Sequence, residues 1–175
     1  PIVVLQVLKR DIVPLAKIEV YELPFVGLFP KIWGVIPIRR NEVDRRAVQR
    51  SLAVLRAGEI ILVAPEGTRN ESLQTGKEGV AYLASRSGAP VIPVALEGTE
   101  VFPSFPTSKK WWHSGAQVRF GKPFRYLENF KRARGDMLRK MTDEAMYVLA
   151  KMLPENRRGV YSQIDNATQD TIVFL

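Results

Sequence analysis

Glu66-Gly67-Thr68-Arg69 sets a glycine, a hydroxyl and a forked cation directly after an apolar run, a combination suited to a phosphate ester. Gly67 allows close backbone approach, Thr68 offers a hydroxyl, and the Arg69 guanidinium presents paired N–H donors that match two phosphate oxygens. Strand ends in parallel sheets are where ligands bind, because the loops there are free of packing duties. The alternative for these residues is a tight turn in which Glu66 and Arg69 pair with each other. Gly76-Lys77 also hints at phosphate chemistry, but it does not make a nucleotide-binding loop. Glu71 stands where the first glycine of such a loop belongs, and Glu78 where a hydroxyl must hold magnesium. No Gly-x-Ser-x-Gly elbow is present, which argues against a serine hydrolase. His113, the single histidine, has no aspartate four or five residues later to orient it and is not assigned as a base.

Composition narrows the remaining classes. A chain of 175 residues with 46% apolar and 25% charged side chains has the make-up of a globular domain with a genuine core. The absence of cysteine removes disulfides and thiolate chemistry, and one histidine leaves little material for a zinc site. No apolar stretch approaches the length of a membrane span, and residues 1–8 do not read as a signal peptide. A net charge of +8, from 26 basic and 18 acidic groups, favours polyanions: nucleic acid, anionic lipid headgroups or phosphorylated small molecules. Nucleic acid ranks last, since no recognisable module or aromatic-basic strand pattern is present. Arg39, Arg40, Arg45, Arg46 and Arg50 form one basic cluster, and Lys131, Arg132, Arg134, Arg139 and Lys140 another; most of them read as solvated helix faces.

The elements that must position these residues follow a strand–helix rhythm. Residues 1–8 read as the first turns of a helix, 13–20 as a strand, 24–33 as a short apolar helical patch, and 35–38 as a strand. Asn41 can cap the next helix with Asp44 in its first turn; Val43, Ala47, Val48, Leu52 and Leu55 share a face, and Gly58 ends it. Residues 60–64 are apolar throughout, as expected of a strand buried on both faces. Thr75 or Gly76 opens a helix closed by Gly88, and residues 91–96 form a strand in which Pro93 needs a place where no N–H is required. This alternation predicts an α/β fold with a largely parallel central sheet flanked by helices. Residues 99–115 are a long irregular loop, 116–120 a strand, and Leu138, Met141, Ala145, Leu149 and Met152 mark a last amphipathic helix. Residues 162–175 have no evident place, and no internal repeat is present.

Three strings in order carry a family resemblance: Gly34-Val35-Ile36-Pro37-Ile38-Arg39-Arg40, Ala64-Pro65-Glu66-Gly67-Thr68-Arg69 and Val91-Ile92-Pro93-Val94. Together they resemble the glycerolipid acyltransferases, specifically the 1-acylglycerol-3-phosphate acyltransferases. The resemblance covers roughly residues 1–126 and extends more faintly to Leu153-Pro154 and Arg158-Gly159-Val160-Tyr161. It implies a glycerol-3-phosphate acyltransferase-like domain over residues 1–160, with 161–175 as a tail. It implies that Arg40 and Arg69, with Glu66, Gly67 and Thr68, hold the acceptor's phosphate. Lys77, in a Lys-x-Gly that matches the family's next helix start, is a candidate donor or phosphate contact. Val91, Ile92, Pro93 and Val94 are implied to pack near the acyl site. Ala64 replaces the family's usual phenylalanine, which alters pocket shape without touching the phosphate logic.

The family's His-x-x-x-x-Asp signature does not occur in the chain, so no catalytic residue is assigned within it. Relatives often read His-x-x-x-x-Asp-Pro followed by an apolar run, and Pro1-Ile2-Val3-Val4-Leu5 resembles the continuation of that motif; the pair is expected before Pro1. The implied reaction moves a fatty acyl group from acyl-CoA or acyl-carrier protein to the free hydroxyl of a lysophosphatidate, in phospholipid biosynthesis, with no metal or prosthetic group. The 175 residues alone are then expected to be inactive. A non-catalytic phosphate- and lipid-binding protein of the same fold is the alternative. Phe102, Phe105, Lys109, Lys110, Trp111 and Trp112 are expected to meet an anionic membrane surface, making the protein peripheral on the cytoplasmic face; otherwise the two tryptophans cover the core.

Overall fold

The computed structural model describes residues 4, 10–17, 34–39, 44–67, 70–98 and 117–175. The expected helix over residues 1–8, the end of the strand over 13–20, the patch over 24–33, the Asn41 cap and the loop over 99–115 lie outside the described residues, wholly or nearly so. Within them, a parallel sheet of three strands is built around β1 (Ile12–Lys17), with β2 (Ile36–Ile38) on one side and β3 (Ile60–Leu62) on the other. Residues 12–14 of β1 pair with β3 and residues 15–17 with β2, so the two outer strands are staggered along the central one. Pro14 sits where the pairing passes from β3 to β2, a position suited to a residue without an N–H.

Asp44, expected inside the first helical turn, is instead the N-cap of α1 (Arg45–Arg56). One carboxylate oxygen accepts from the Ala47 amide at 3.0 Å and the other from the Arg39 amide at 3.2 Å. The same side chain therefore satisfies an orphan helix donor and ties the end of β2 to the helix start. Those backbone bonds hold the Asp44 carboxyl below its ordinary value, the Ala47 amide contributing most. The far end closes as a Schellman turn: Gly58, with φ +80°, donates to the Leu55 carbonyl, and Glu59 to that of Val54.

β3 is shorter than its apolar run. It ends at Leu62, and its three residues are half-buried rather than enclosed on both faces, because it pairs with only half of β1. The following helix also starts later than expected. α2 spans Gly79–Ser87, ending at left-handed Gly88, while residues 73–77 are irregular and held by contacts described below. Pro93 divides the next apolar run: Val91 makes an isolated bridge to Phe124, and β4 begins only at Val94 (Val94–Glu97).

Two antiparallel pairs accompany the parallel sheet. β4 pairs with β5 (Gln117–Phe120), and β6 (Phe124–Tyr126) with β7 (Ile172–Phe174). Between β6 and β7 runs α3 (Gly135–Ala150), which packs on α2, as α2 does on α1 and β6. Among the described residues the architecture is α/β, with three α-helices and a parallel three-stranded sheet. Its core gathers Ala81 and Ala84 of α2, Phe124 and Tyr126 of β6, Met141 of α3 and Ile172 of β7; Phe124 and Met141 are wholly buried.

α3 is buried more widely than its apolar stripe implies, since Thr142 and Glu144 are enclosed as well. The Glu144 carboxylate accepts four hydrogen bonds: from Thr168 Oγ1 (2.7 Å), the Asp170 and Thr171 amides (both 3.0 Å) and Thr171 Oγ1 (2.5 Å). A buried carboxylate so surrounded by donors is satisfied in place. It fastens residues 168–171 to α3, and Lys140 adds an ion pair to Asp170 at 2.5 Å. Residues 162–175, which sequence could not place, thus contribute Thr171 and Ile172 to the interior, beside the buried Tyr161 that precedes them.

Candidate functional site

Parallel strands share a direction, so the chain leaves the carboxyl ends of β2 and β3 on the same side of the sheet. Beyond β3 the backbone reverses at Pro65-Glu66-Gly67. Gly67 donates to the Ala64 carbonyl at 3.0 Å and takes a φ of +71°, a left-handed conformation that disfavours any side chain. Thr68 and Arg69, and Arg40 beyond β2, lie outside the described residues.

Glu66 has a definite task. Its Oε2 accepts from the Gln74 amide and from Asn70 Nδ2, both at 3.0 Å. The carboxylate thus ties Asn70 and Gln74 back to the turn and is committed to the shape of the loop.

Lys77 is brought to the same turn. Its amide donates to the Pro65 carbonyl at 2.8 Å, and its side chain lies across Gly67. A Cβ built on Gly67 would meet Lys77 Cδ, Cε and Nζ at 3.5–3.7 Å. Among the described residues no carboxylate is paired with this ammonium. α2 begins two residues later, with the positive end of its dipole next to the lysine in the chain. An exposed cation, a left-handed glycine turn and a helix start are therefore gathered just past a parallel strand, an arrangement able to neutralise a phosphate.

Sequence spacing did not reveal what holds Lys77 there. Gly76 is buried against α3: a Cβ on it would approach Met146 Cγ to 2.7 Å. Its amide donates to the Tyr161 hydroxyl at 3.2 Å, and its carbonyl accepts from Arg139 Nη1 at 2.7 Å. Tyr161 in turn donates to Asp143 Oδ1 at 2.9 Å, and Arg139 forks onto both Asp143 oxygens at 2.8 and 3.1 Å. Arg139, expected on a solvated basic face, is thus committed to structure. Its spacing of four residues from Asp143 is the only advance sign of that pairing. Burial chiefly, with the neighbouring Asp143 charge, pushes the Tyr161 hydroxyl up to about 12, so it remains a donor throughout the neutral range.

The remaining candidates are less concentrated. Val91 packs on the core, Pro93 is buried, Val94 pairs with Phe120, and Ile92 is exposed. Lys109, Lys110, Trp111 and Trp112 lie outside the described residues, as does His113. Among the described residues no helix is long and apolar enough to cross a membrane, and no group of three His, Asp or Glu is placed to hold a metal.

Comparison with known proteins gives the family. The acyltransferase family model matches residues 1–97, from the first residue through the end of β4. The chain belongs to the acyltransferase family. Among its relatives is the chloroplastic 1-acyl-sn-glycerol-3-phosphate acyltransferase of Brassica napus, 30% identical over 49% of this chain and 26% of that protein. The 1-acyl-sn-glycerol-3-phosphate acyltransferase of Borreliella burgdorferi is 31% identical over 58% of this chain and 42% of its own length. A lyso-ornithine lipid O-acyltransferase of Pseudomonas aeruginosa is 36% identical over 47% of this chain and 33% of its own. The chain therefore matches less than half the length of each of these relatives. No solved structure gives a significant match.

Proposed function

We propose that this protein moves a fatty acyl group from a thioester, acyl-CoA or acyl-carrier protein, to the free hydroxyl of a 1-acylglycerol-3-phosphate, and that residues 64–77 with Arg40 form the acceptor's phosphate site. The observation that carries the reading is Lys77 lying across the left-handed Gly67 turn at the end of a parallel strand. The names of the Brassica and Borreliella relatives support this acceptor.

In this reading Arg69 and Arg40 grip the phosphate in forked, charge-assisted contacts, and Lys77 adds a point charge. Fixing the phosphate holds the hydroxyl against the thioester carbon, an advantage of position. A histidine base, oriented by an aspartate, takes the hydroxyl proton as the oxygen attacks, and the thiol of the donor leaves. Within residues 1–175 the only histidine is His113, without an aspartate at the family spacing, so neither role is given to it.

Steady-state kinetics of the full encoded protein test the reading. Arg69→Ala and Arg40→Ala should each lose a contact of about 1.5–3 kcal/mol, roughly a ten- to hundred-fold fall in kcat/KM for the phosphorylated acceptor. The KM for the acyl donor should stay near its starting value, and Arg69→Lys should recover only part of the loss. Normal acceptor kinetics in both alanine variants would show that the phosphate is held elsewhere.

A further inference from the structure

We propose that Tyr161 is a positioning residue for acceptor binding, acting through Lys77 from a part of the chain beyond the matched acyltransferase region. This inference rests on the phosphate reading above and adds to it the device that holds the cation in place.

Residues 70–78, which precede α2, have little regular structure of their own, yet they are gripped from outside at two points. The first grip is backbone to backbone. Leu73 donates to the Arg157 carbonyl at 3.0 Å, and Val160 donates to the Leu73 carbonyl at 3.1 Å. Gly159 makes this approach possible: its φ is +53°, and a Cβ there would lie 1.9 Å from the Leu73 oxygen. The second grip is on Gly76, whose amide and carbonyl are taken by Tyr161 and Arg139, with Asp143 joining the two.

Tyr161 is itself fixed. Its ring meets Tyr147 edge-on at 5.1 Å, and it is 4% exposed. Gly76 immediately precedes Lys77, and the Lys77 amide is bonded back to Pro65. The bond between Lys77 and Pro65 therefore closes the base, and residues 73–76 form a crown held by α3 and residues 157–161. Held this way, Lys77 begins from a fixed backbone position above Gly67. Without the Tyr161 hydroxyl, the buried Gly76 amide loses its acceptor and the crown is free to shift.

The test is a double-mutant cycle in the full encoded protein, with Tyr161→Phe, Lys77→Ala and the pair. Tyr161→Phe should raise the KM for the phosphorylated acceptor by about five- to ten-fold and leave the donor KM within about two-fold. The pair should be no worse than Lys77→Ala alone, because the tyrosine acts through the lysine. Amide exchange supplies a readout independent of turnover: the Gly76 and Lys77 amides should exchange about ten-fold faster in Tyr161→Phe, with those of α2 residues 82–87 unchanged. Additive effects, or an equal rise in both KM values, would overturn the proposal by showing a general structural loss. An acceptor KM sensitive to Lys77→Ala but not to Tyr161→Phe would overturn it while leaving the phosphate reading intact. Insensitivity to both Lys77→Ala and Arg69→Ala would overturn the phosphate reading itself.

Discussion

Two tyrosines show how residue-scale chemistry is set by burial. The Tyr126 hydroxyl donates to the Met141 carbonyl at 3.0 Å inside the core, and Tyr161 donates to Asp143. Burial, seconded by nearby carboxylates, raises both hydroxyls above their ordinary value, Tyr161 to about 12 and Tyr126 further. The linkage has a definite sign. Above about pH 10 the unfolded chain releases these protons while the folded chain keeps them, so stability is complete below that pH and falls as pH rises toward 12. Urea unfolding followed from pH 8 to 12 should show this alkaline loss. Tyr161→Phe should begin less stable at pH 8 and decline less steeply. A decline of unchanged slope would show that Tyr161 does not titrate with unfolding. Over the neutral range the grip on Gly76 is expected to be insensitive to pH.

At the scale of elements, the join between β2 and α1 depends on one carboxylate. Asp44 caps the helix and holds the Arg39 amide, so the strand end and helix start move together. Asp44→Ala should cost about 0.5–2 kcal/mol, read as a lower midpoint in chemical denaturation, and Asp44→Asn should recover most of it. Because the folded carboxyl sits below its ordinary value, its contribution is full above about pH 4 and fades as pH falls through the lowered value. An alanine variant with unchanged midpoint would locate the helix start elsewhere. Arg40 follows this junction by one residue from Arg39, so the variant should also disturb acceptor use if Arg40 holds the phosphate.

Across the whole molecule, the matched acyltransferase region ends at Glu97, yet its loop between Gly67 and α2 is secured by α3 and residues 157–161. The family region and the C-terminal part therefore act as one folded unit at the proposed site. With a net charge of +8 and the lipid acceptor proposed above, we propose docking on an anionic bilayer through the aromatic-basic stretch 102–112. Trp111→Ser with Trp112→Ser should reduce co-sedimentation with vesicles of mixed phosphatidylcholine and phosphatidylglycerol, and added salt should weaken binding of the parent protein. Unchanged binding with lost thermal stability would assign the pair to the core instead.

Local features were legible in the chain because they depend on neighbours a few residues away. Glycine after a strand at Gly67 and closure of helices at Gly58 and Gly88 follow from backbone conformation alone, whereas the strand expected over 91–96 begins only past Pro93, at Val94. The strand–helix alternation likewise announced a parallel sheet, and the ordered strings announced the family. What sequence missed depends on distant partners. The apolar stripe expected for the last helix does not include Glu144, but four donors from residues 168–171 make it interior. Gly76 read as a helix start, but its amide is taken by the hydroxyl of Tyr161, 85 positions away, and the helix begins only at Gly79. No periodicity encodes such a meeting, because a buried polar group is satisfied by whichever donor or acceptor the tertiary fold delivers to it.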